Sequence, residues 1–133
     1  MKNYLMGAYE MHVHTSPDVV QRKLDDKEMA ERALKRRMKG LVLKNHYSGT
    51  AARARALKEK YPSLLVWGGL ALNDTVRVLD PNSVEEEAKT GGKFVWFPTL
   101  EAYNYRQFKN QDTTGKISIL ENGKLKKGVY EIL

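Results

Sequence analysis

Three histidines occur where short apolar runs of the chain end. His12 and His14 lie at the end of the run 5–13, and His46 comes soon after the run 41–43. In a β-strand, a spacing of two residues places His12 and His14 on one face, and a parallel neighbour about 4.8 Å away brings His46 within reach. Neutral imidazoles bind zinc and similar divalent ions. The pattern predicts a metal site; isolated core or surface histidines are less favoured because all three stand at strand ends.

Two carboxylates lie near the same ends. Asp18 closes the polar turn 15–18 and is a candidate metal ligand or catalytic base, while a role in the turn itself is an equally good alternative. Glu101 comes shortly after the fourth apolar run and is a candidate further metal ligand. An ordinary loop charge is the alternative for Glu101.

Lys44 and Asn73 end the second and third apolar runs. Lys44 is expected on the same face as His46, where it could pair with a carboxylate, hold a substrate anion or carry a carbamate that binds the metal. A structural lysine in a salt bridge is the alternative. Asp18 and Lys44 are the candidate catalytic residues. Asn73 is a candidate for substrate binding, and a turn-forming Asn-Asp pair is the simpler interpretation.

Four apolar runs alternate with three amphipathic segments. Strands are expected over residues 5–13, 41–43, 64–72 and 94–97, and helices over 27–38, 50–60 and from 80 to about 91. Asp25, Thr50 and Asp80 are candidate N-caps, and Gly40 and Gly91 are expected to end helices. Runs that are apolar on both faces indicate a parallel sheet covered by helices. The fold predicted is α/β, a partial TIM-like (β/α)8 barrel of about four βα units.

The whole chain, 1–133, is expected to form one domain with a βαβαβαβ core over 1–102. Residues 103–114 are polar and predicted to be irregular. A hairpin is expected next, with Asn122-Gly123 as its turn and residues 117–119 paired with Leu125. A helix is expected to begin at Gly128. The chain is therefore expected to be a truncated barrel, or one whose last apolar residues are buried by a partner.

The net charge of +7 is concentrated in one segment. Residues 22–60 contain 13 Lys or Arg and 5 Asp or Glu. A nucleic-acid surface is one interpretation, but no aromatic stacking residues or groove-reading motif are interleaved with the charges, which favours a solvated outer face of two helices. The chain lacks cysteine, which excludes disulfides and thiolate metal sites. No apolar run is long enough for a signal peptide or membrane span, and a cytoplasmic location is expected.

The run 10–18, Glu-Met-His-Val-His-Thr-Ser-Pro-Asp, resembles the opening H-x-H motif of the amidohydrolase superfamily. It is also similar to the polymerase-and-histidinol-phosphatase (PHP) type. More closely, the chain resembles an uncharacterised amidohydrolase-related family with a Leu-Lys-x-His second strand (residues 43–46), a Gly-Gly third strand (68–69) and a Trp-x-Pro-Thr fourth strand (96–99). The resemblance covers essentially the entire chain and corresponds to the N-terminal half of such a protein.

The resemblance implies a distorted (β/α)8 barrel that binds one to three divalent ions and hydrolyses an amide, a cyclic amide or a phosphate ester. His12, His14 and His46 correspond to metal ligands. Lys44 and Asn45 replace the acidic residue that PHP proteins carry before the histidine, and the ligands and catalytic Asp that later strands provide are not in this sequence. The expected protein is a metal-dependent hydrolase of a small-molecule substrate, or an inactive fragment of one.

The expected cofactor is a divalent ion, zinc first, with manganese or iron as alternatives. Two open sheet edges predict a homo-oligomer. The competing interpretation is a non-enzymatic oligomeric binding module that uses the basic face of residues 22–60 for an acidic partner; nucleic acid is disfavoured as that partner.

Overall fold

Strands and helices alternate along the chain in a computed structural model, which describes residues 3–73 and 79–133. Its elements in chain order are β1 Tyr9–Val13, α1 Asp26–Lys35, β2 Gly40–Leu43, α2 Ala51–Lys60, β3 Leu65–Trp67, β4 Gly69–Ala71, α3 Pro81–Thr90, β5 Phe94–Trp96, α4 Tyr103–Phe108, β6 Leu120–Glu121, β7 Lys124–Leu125 and α5 Lys127–Ile132. The fold is therefore mixed α/β, as predicted.

The strands form small parallel sheets. β1, β2 and β3 pair in that order, and β4 pairs with β5, all in parallel. β6 and β7 form a separate antiparallel hairpin. Over the ranges 3–73 and 79–133, these strands do not close into a barrel.

The third predicted strand is divided into two. Residues 65–67 pair with β2, whereas residues 69–71 pair with β5, and only Gly68 separates them. A side chain at Gly68 would collide with the Thr50 carbonyl, and one at Gly69 would collide with the Phe94 carbonyl. The prediction of one strand over 64–72 was wrong because these glycines let the backbone pass between two neighbours at close range.

Helix α1 begins as predicted but ends earlier. Asp25 accepts a hydrogen bond from the Glu28 N–H, and the Glu28 side chain accepts from the Asp25 N–H, which completes a capping box. The helix ends at Lys35, and Arg37, with φ 56°, is the left-handed residue. The prediction that Gly40 ends the helix was wrong. Gly40 opens β2, where an added Cβ would lie 2.6 Å from the Leu65 carbonyl oxygen.

The ends of α3 agree with the prediction, and one of its glutamates has an additional function. Asp80 caps the helix before Pro81, and Gly91 ends it in the left-handed conformation with φ 107°. Glu87 accepts hydrogen bonds from the N–H groups of Thr50 and Ala51, each at 2.9 Å. This carboxylate therefore caps α2, because the Thr50 side chain forms no cap of its own.

Two apolar clusters hold the elements together. The first joins α1, β2, α2 and β3 through Ala30, Ala33, Leu41, Leu43, Ala54, Leu57, Leu64 and Val66. The second joins the β4 region to the C-terminal segment through Leu70, Leu72, Leu79, Ile117 and Val129. The last 30 residues thus pack onto the same domain as the strands.

The C-terminal segment differs from the prediction in two places. A short helix, α4, replaces the irregular stretch expected over 103–114, and the Arg106 side chain anchors it by donating to the Leu100 carbonyl at 2.8 Å. The turn at Asn122-Gly123 is confirmed, with φ of 50° and 76°. The predicted pairing of residues 117–119 with Leu125 is wrong. Leu120 pairs with Leu125, because Ile117 forms a bridge to Ala102 instead. Helix α5 is present, as predicted.

None of the helices in the described ranges has the length and apolarity needed to cross a bilayer.

Thr50 links three parts of the fold and gives the first prediction. Its hydroxyl is fully buried, accepts the Gly69 N–H at 2.9 Å and lies within donating distance of the Leu43 carbonyl at 2.7 Å. Thr50→Val keeps the volume but leaves these buried groups unpaired, so we expect the free energy of unfolding to fall by about 1–3 kcal/mol. Urea denaturation measures it. The matched control Thr90→Val, at an exposed helical hydroxyl, is expected to stay within about 0.5 kcal/mol; an equal loss in both variants would contradict this account.

Candidate metal centre

The carboxyl ends of β1 and β2 lie side by side. Val13 is in register with Leu43, and the Lys44 N–H donates to the Val13 carbonyl at 2.9 Å. His14 follows β1 directly, and His46 lies three residues beyond β2. Parallel pairing therefore brings histidines that are distant in sequence to one edge of the sheet, as predicted.

The His14 imidazole is in contact with the imidazoles of His12 and His46. The rings of His14 and His46 stack with centroids 4.5 Å apart, and the Nε2 atoms of His12 and His14 are 3.1 Å apart. Two nitrogens bound to one tetrahedral zinc ion at 2.0–2.1 Å would lie about 3.3 Å apart. The spacing of His12 and His14 thus matches that of two ligands of one ion.

Asp18 completes a cluster that could hold a metal ion. One ligand atom from each of His14, Asp18 and His46 lies within 4.8 Å of the others. The turn that carries Asp18 is fastened from two sides: Asn45 donates to the Pro17 carbonyl at 2.8 Å, and Arg53 donates to the Ser16 carbonyl at 3.1 Å. Arg53 belongs to the basic segment 22–60, but its side chain forms hydrogen bonds within the fold and does not lie on a solvated face.

Arg22 is the residue of the site that sequence reasoning missed. Asp18, whose side chain is 0% exposed, accepts from Arg22 Nε at 2.7 Å and lies 3.3 Å from His14 Nδ1. Burial acts to raise the pKa of Asp18, but the Arg22 side chain and the Val19 N–H outweigh it and lower that pKa. The four-residue spacing of Asp18 and Arg22 was the available signal, but the chain between them is not helical.

All three histidines are held in the neutral form. Burial lowers the pKa of His14 to about 4, with the positive charge of Arg22 as the next cause. Burial also lowers the pKa values of His12 and His46, and the charge of Lys44 acts in the same direction on both. Neutral imidazole is the form that binds metals, so the site is in the correct protonation state at neutral pH.

One histidine atom lacks a partner. His46 Nδ1 is buried and has no hydrogen-bond partner within the described ranges. Buried polar atoms are nearly always paired. An unpaired imidazole nitrogen beside two further imidazoles is therefore a candidate ligand atom.

Lys44 lies in the same cluster. It is 3% exposed, and its ammonium stands over the Trp96 ring, 5.4 Å from the centroid. Burial lowers the pKa of Lys44, while Asp18 acts to raise it. No carboxylate of residues 3–73 or 79–133 lies within 4.0 Å of this ammonium, so the alternative of a lysine in a salt bridge finds no support there.

Asn73 holds the backbone beside the site. Its amide nitrogen donates to the His46 carbonyl at 2.6 Å and to Thr99 Oγ1 at 3.1 Å, and its oxygen accepts from the Thr99 N–H at 2.9 Å. The side chain predicted to bind substrate therefore makes positioning contacts within the protein. The alternative turn with Asp74 falls outside the described residues.

Glu101 lies in a different cluster from the histidines. Its carboxylate forms ion pairs with Lys116 and with Arg106, the latter at 3.3 Å, and accepts from the Tyr47 hydroxyl at 2.8 Å. Lys116, more than any other group, lowers the pKa of Glu101. These three donors occupy the oxygens that were expected to bind metal, and Glu101 instead anchors the C-terminal segment to the residue after His46.

The lowered pKa of His14 predicts a pH-dependent stability for the metal-free protein. Between the ordinary value of 6.5 and about 4, the unfolded chain binds a proton that the folded chain does not. The free energy of unfolding should therefore fall as the pH drops through this window, by at most about 3 kcal/mol for this group. Urea denaturation at several pH values measures it. His14→Gln should show a shallower dependence, and a wild-type profile that is flat from pH 6.5 to 5 would contradict the account.

Residues 7–133 match a protein family described as "Family of unknown function (DUF6282)". No curated protein and no solved structure matches the chain significantly. The family match spans every residue of the candidate site. The chain therefore belongs to the DUF6282 family.

Proposed function

We propose that this protein is a metal-dependent hydrolase whose ion is held by His12, His14 and His46. The observation that carries the proposal is the position of His14 at the paired ends of β1 and β2, where its ring stacks on that of His46 with centroids 4.5 Å apart and its Nε2 lies 3.1 Å from Nε2 of His12. Zinc is the first candidate, and manganese or iron are alternatives.

The donor set fits a divalent transition metal. It offers neutral nitrogens, one of them the unpaired Nδ1 of His46, and an ionised carboxylate at Asp18. A divalent ion in such a site acts as a Lewis acid that acidifies a water molecule and polarises the bond to be broken. The remaining contributions come from the side chains around it.

Asp18 is best suited to orienting His14. Its Oδ2 accepts a hydrogen bond from Arg22 Nε at 2.7 Å, forms an ion pair with Arg22 Nη2 at 2.6 Å and lies 3.3 Å from His14 Nδ1. Arg22 Nη2 also lies 3.2 Å from the same His14 nitrogen. A carboxylate that accepts the Nδ1–H of a ligand histidine fixes its ring and leaves Nε2 free to bind. Because the pKa of Asp18 is lowered, this group is a poorer proton acceptor than an unpaired carboxylate.

The reaction class follows from the resemblance to the amidohydrolase superfamily and its PHP-like members. Hydrolysis of an amide, a cyclic amide or a phosphate ester is proposed on that ground. The strand order β1-β2-β3 and the parallel pair β4-β5 are compatible with the first four units of a (β/α)8 barrel. A cytoplasmic location is part of the same proposal.

An oligomer is part of this proposal. Strands of the two parallel sheets carry half-exposed apolar side chains, Tyr9 and Met11 in β1 and Val95 in β5. Association of chains would bury this surface and pair the open strand edges. Mass measured by light scattering tests this element, and a monomer at micromolar concentration would contradict it.

A second candidate function is a binding module for an acidic partner. It is favoured by the exposed cations at the end of α1 and the following turn, namely Arg32, Lys35, Arg36, Arg37 and Lys39. Such binding would weaken steeply as salt increases. Replacing the metal ligands would leave binding of the acidic partner unchanged, whereas the same replacement would abolish hydrolase activity.

The first test is metal content. We expect about one zinc, manganese or iron ion per chain in purified protein, measured by elemental analysis on the sample used for light scattering. The double variant His12→Ala, His14→Ala should lose the ion because it removes two of three nitrogen ligands. Metal-stimulated hydrolysis of chromogenic phosphate esters and cyclic amides would then define the reaction. Metal-free wild-type protein that also takes up no added zinc would contradict the proposal.

The orienting function of Asp18 gives a separate prediction. Asp18→Asn removes the charge while keeping the size, and we expect zinc affinity to fall about 10- to 100-fold. Isothermal titration measures it, with Asp112→Asn at an exposed loop position as the matched control. If both variants bind zinc like the wild type, Asp18 does not act on the metal ligands.

A further inference from the structure

We propose that Lys44 forms an oxyanion-binding subsite beside the histidine cluster, and that the substrate carries a carboxylate or phosphate group next to the bond that is cleaved. The second half of this inference rests on the proposed hydrolase. The first half, binding of an oxyanion by Lys44, stands without it.

Lys44 is fixed at the edge of the site by its backbone. It is the first residue after β2, and its N–H donates to the Val13 carbonyl at the end of β1. The ammonium lies over Trp96, whose ring is 6.2 Å from that of His12. The lysine and the histidines therefore border the same space, and the charge of Lys44 acts on all three imidazoles.

This ammonium has no anionic partner within the described part of the chain. Asp18, the carboxylate whose charge acts on Lys44, is paired with Arg22, and the buried Glu101 of the separate cluster is paired with Lys116 and Arg106. The Lys44 residue is 3% exposed, and a charge held in a largely buried position without an opposite charge is unfavourable. Lys44 is thus a buried cation that lacks an anion.

The charges of the site favour an anionic ligand. Arg22 and Asp18 neutralise each other, and the histidines are neutral, so Lys44 supplies positive charge that acts on all three imidazoles, while the negative charge of Glu10 acts on His12. A divalent ion would add to it. The Trp96 face stabilises the cation without using its N–H groups, which leaves donors of the ammonium free for carboxylate or phosphate oxygens.

The test is a titration of metal-free protein with inorganic phosphate and, separately, with acetate. Metal is removed with a chelating resin because a soluble chelator is itself a polyanion, and ionic strength is held constant with chloride. We expect Lys44→Met to weaken binding at least about tenfold, because a charge-assisted hydrogen bond is lost. Lys44→Arg, which keeps the charge, should bind more tightly than Lys44→Met.

The control is Lys58→Met, the same change at an exposed position of α2. It should bind both anions like the wild type. Whichever anion binds more tightly assigns the group as phosphate or carboxylate. Wild-type protein that binds neither, or equal binding by the wild type and Lys44→Met, would overturn the inference.

A second readout separates an anion subsite from a structural lysine. Without added anion, Lys44→Met should raise the denaturation midpoint, because it replaces an unpaired buried charge with an apolar chain of similar length. Added phosphate should raise the midpoint of the wild type but not of this variant. A Lys44→Met protein that fails to fold, or is less stable than the wild type, would overturn the claim that the ammonium is unpaired.

These outcomes are independent of the hydrolase test. If the protein takes up no zinc but loses anion binding with Lys44→Met, the hydrolase fails and the subsite stands. If the protein binds zinc and Lys44→Met leaves anion binding unchanged, the Lys44 subsite is contradicted and the hydrolase proposal is not.

Discussion

The parallel pairing of β1 with β2 is the constraint on which the site depends. It sets Val13 opposite Leu43, and so brings a histidine that follows the first strand against one that follows the second. The pairing is maintained by burial: all four residues of β2 are buried, with Leu41 and Leu43 packed against α1 and α2. Gly40 opens the strand because a larger residue would meet the Leu65 carbonyl. Slipping this register by one residue would turn the side chains of one strand to the opposite face and separate the imidazoles.

Electrostatics decides what this arrangement can bind. His14 contacts both other imidazoles, and all three remain neutral because burial and the charge of Lys44 oppose their protonation, with Arg22 acting in the same direction on His14 and His46. The single buried carboxylate of the cluster is neutralised by Arg22. The result is a set of neutral nitrogen donors with a surplus of positive charge, a combination that a metal ion accompanied by an anionic ligand satisfies. A fold selected for stability alone would gain by removing Lys44, since an apolar side chain of similar size would pack there without a desolvation penalty.

The sequence predicted the features that depend on local or periodic signals. The alternation of strands and helices, the caps at Asp25, Asp80 and Gly91, and the Asn122-Gly123 turn all have short-range causes. The three histidines could be placed together because strand ends in a parallel sheet must meet. The division of the strand at Gly68 and the function of Gly40 depend on carbonyls distant in sequence. The ion pairs of Glu101 could not be predicted because its partners Lys116 and Arg106 come from the C-terminal segment, whose packing against the strands has no local signal.

The site and the C-terminal segment are mechanically connected. Asn73 binds the His46 carbonyl and the Thr99 N–H, and the neighbouring Tyr47 donates to Glu101, which is paired with Lys116. His46 and Tyr47 are therefore held by Asn73, which follows β4, and by Glu101, which follows β5. Ile117 and Val129 pack against Leu70 and Leu72, so the segment that supplies Lys116 is part of the apolar core. It follows that the spacing of the imidazoles is set by the whole domain, because the polar chain from Asn73 to Lys116 fixes the loop after β2 against a core that residues 103–133 help to form.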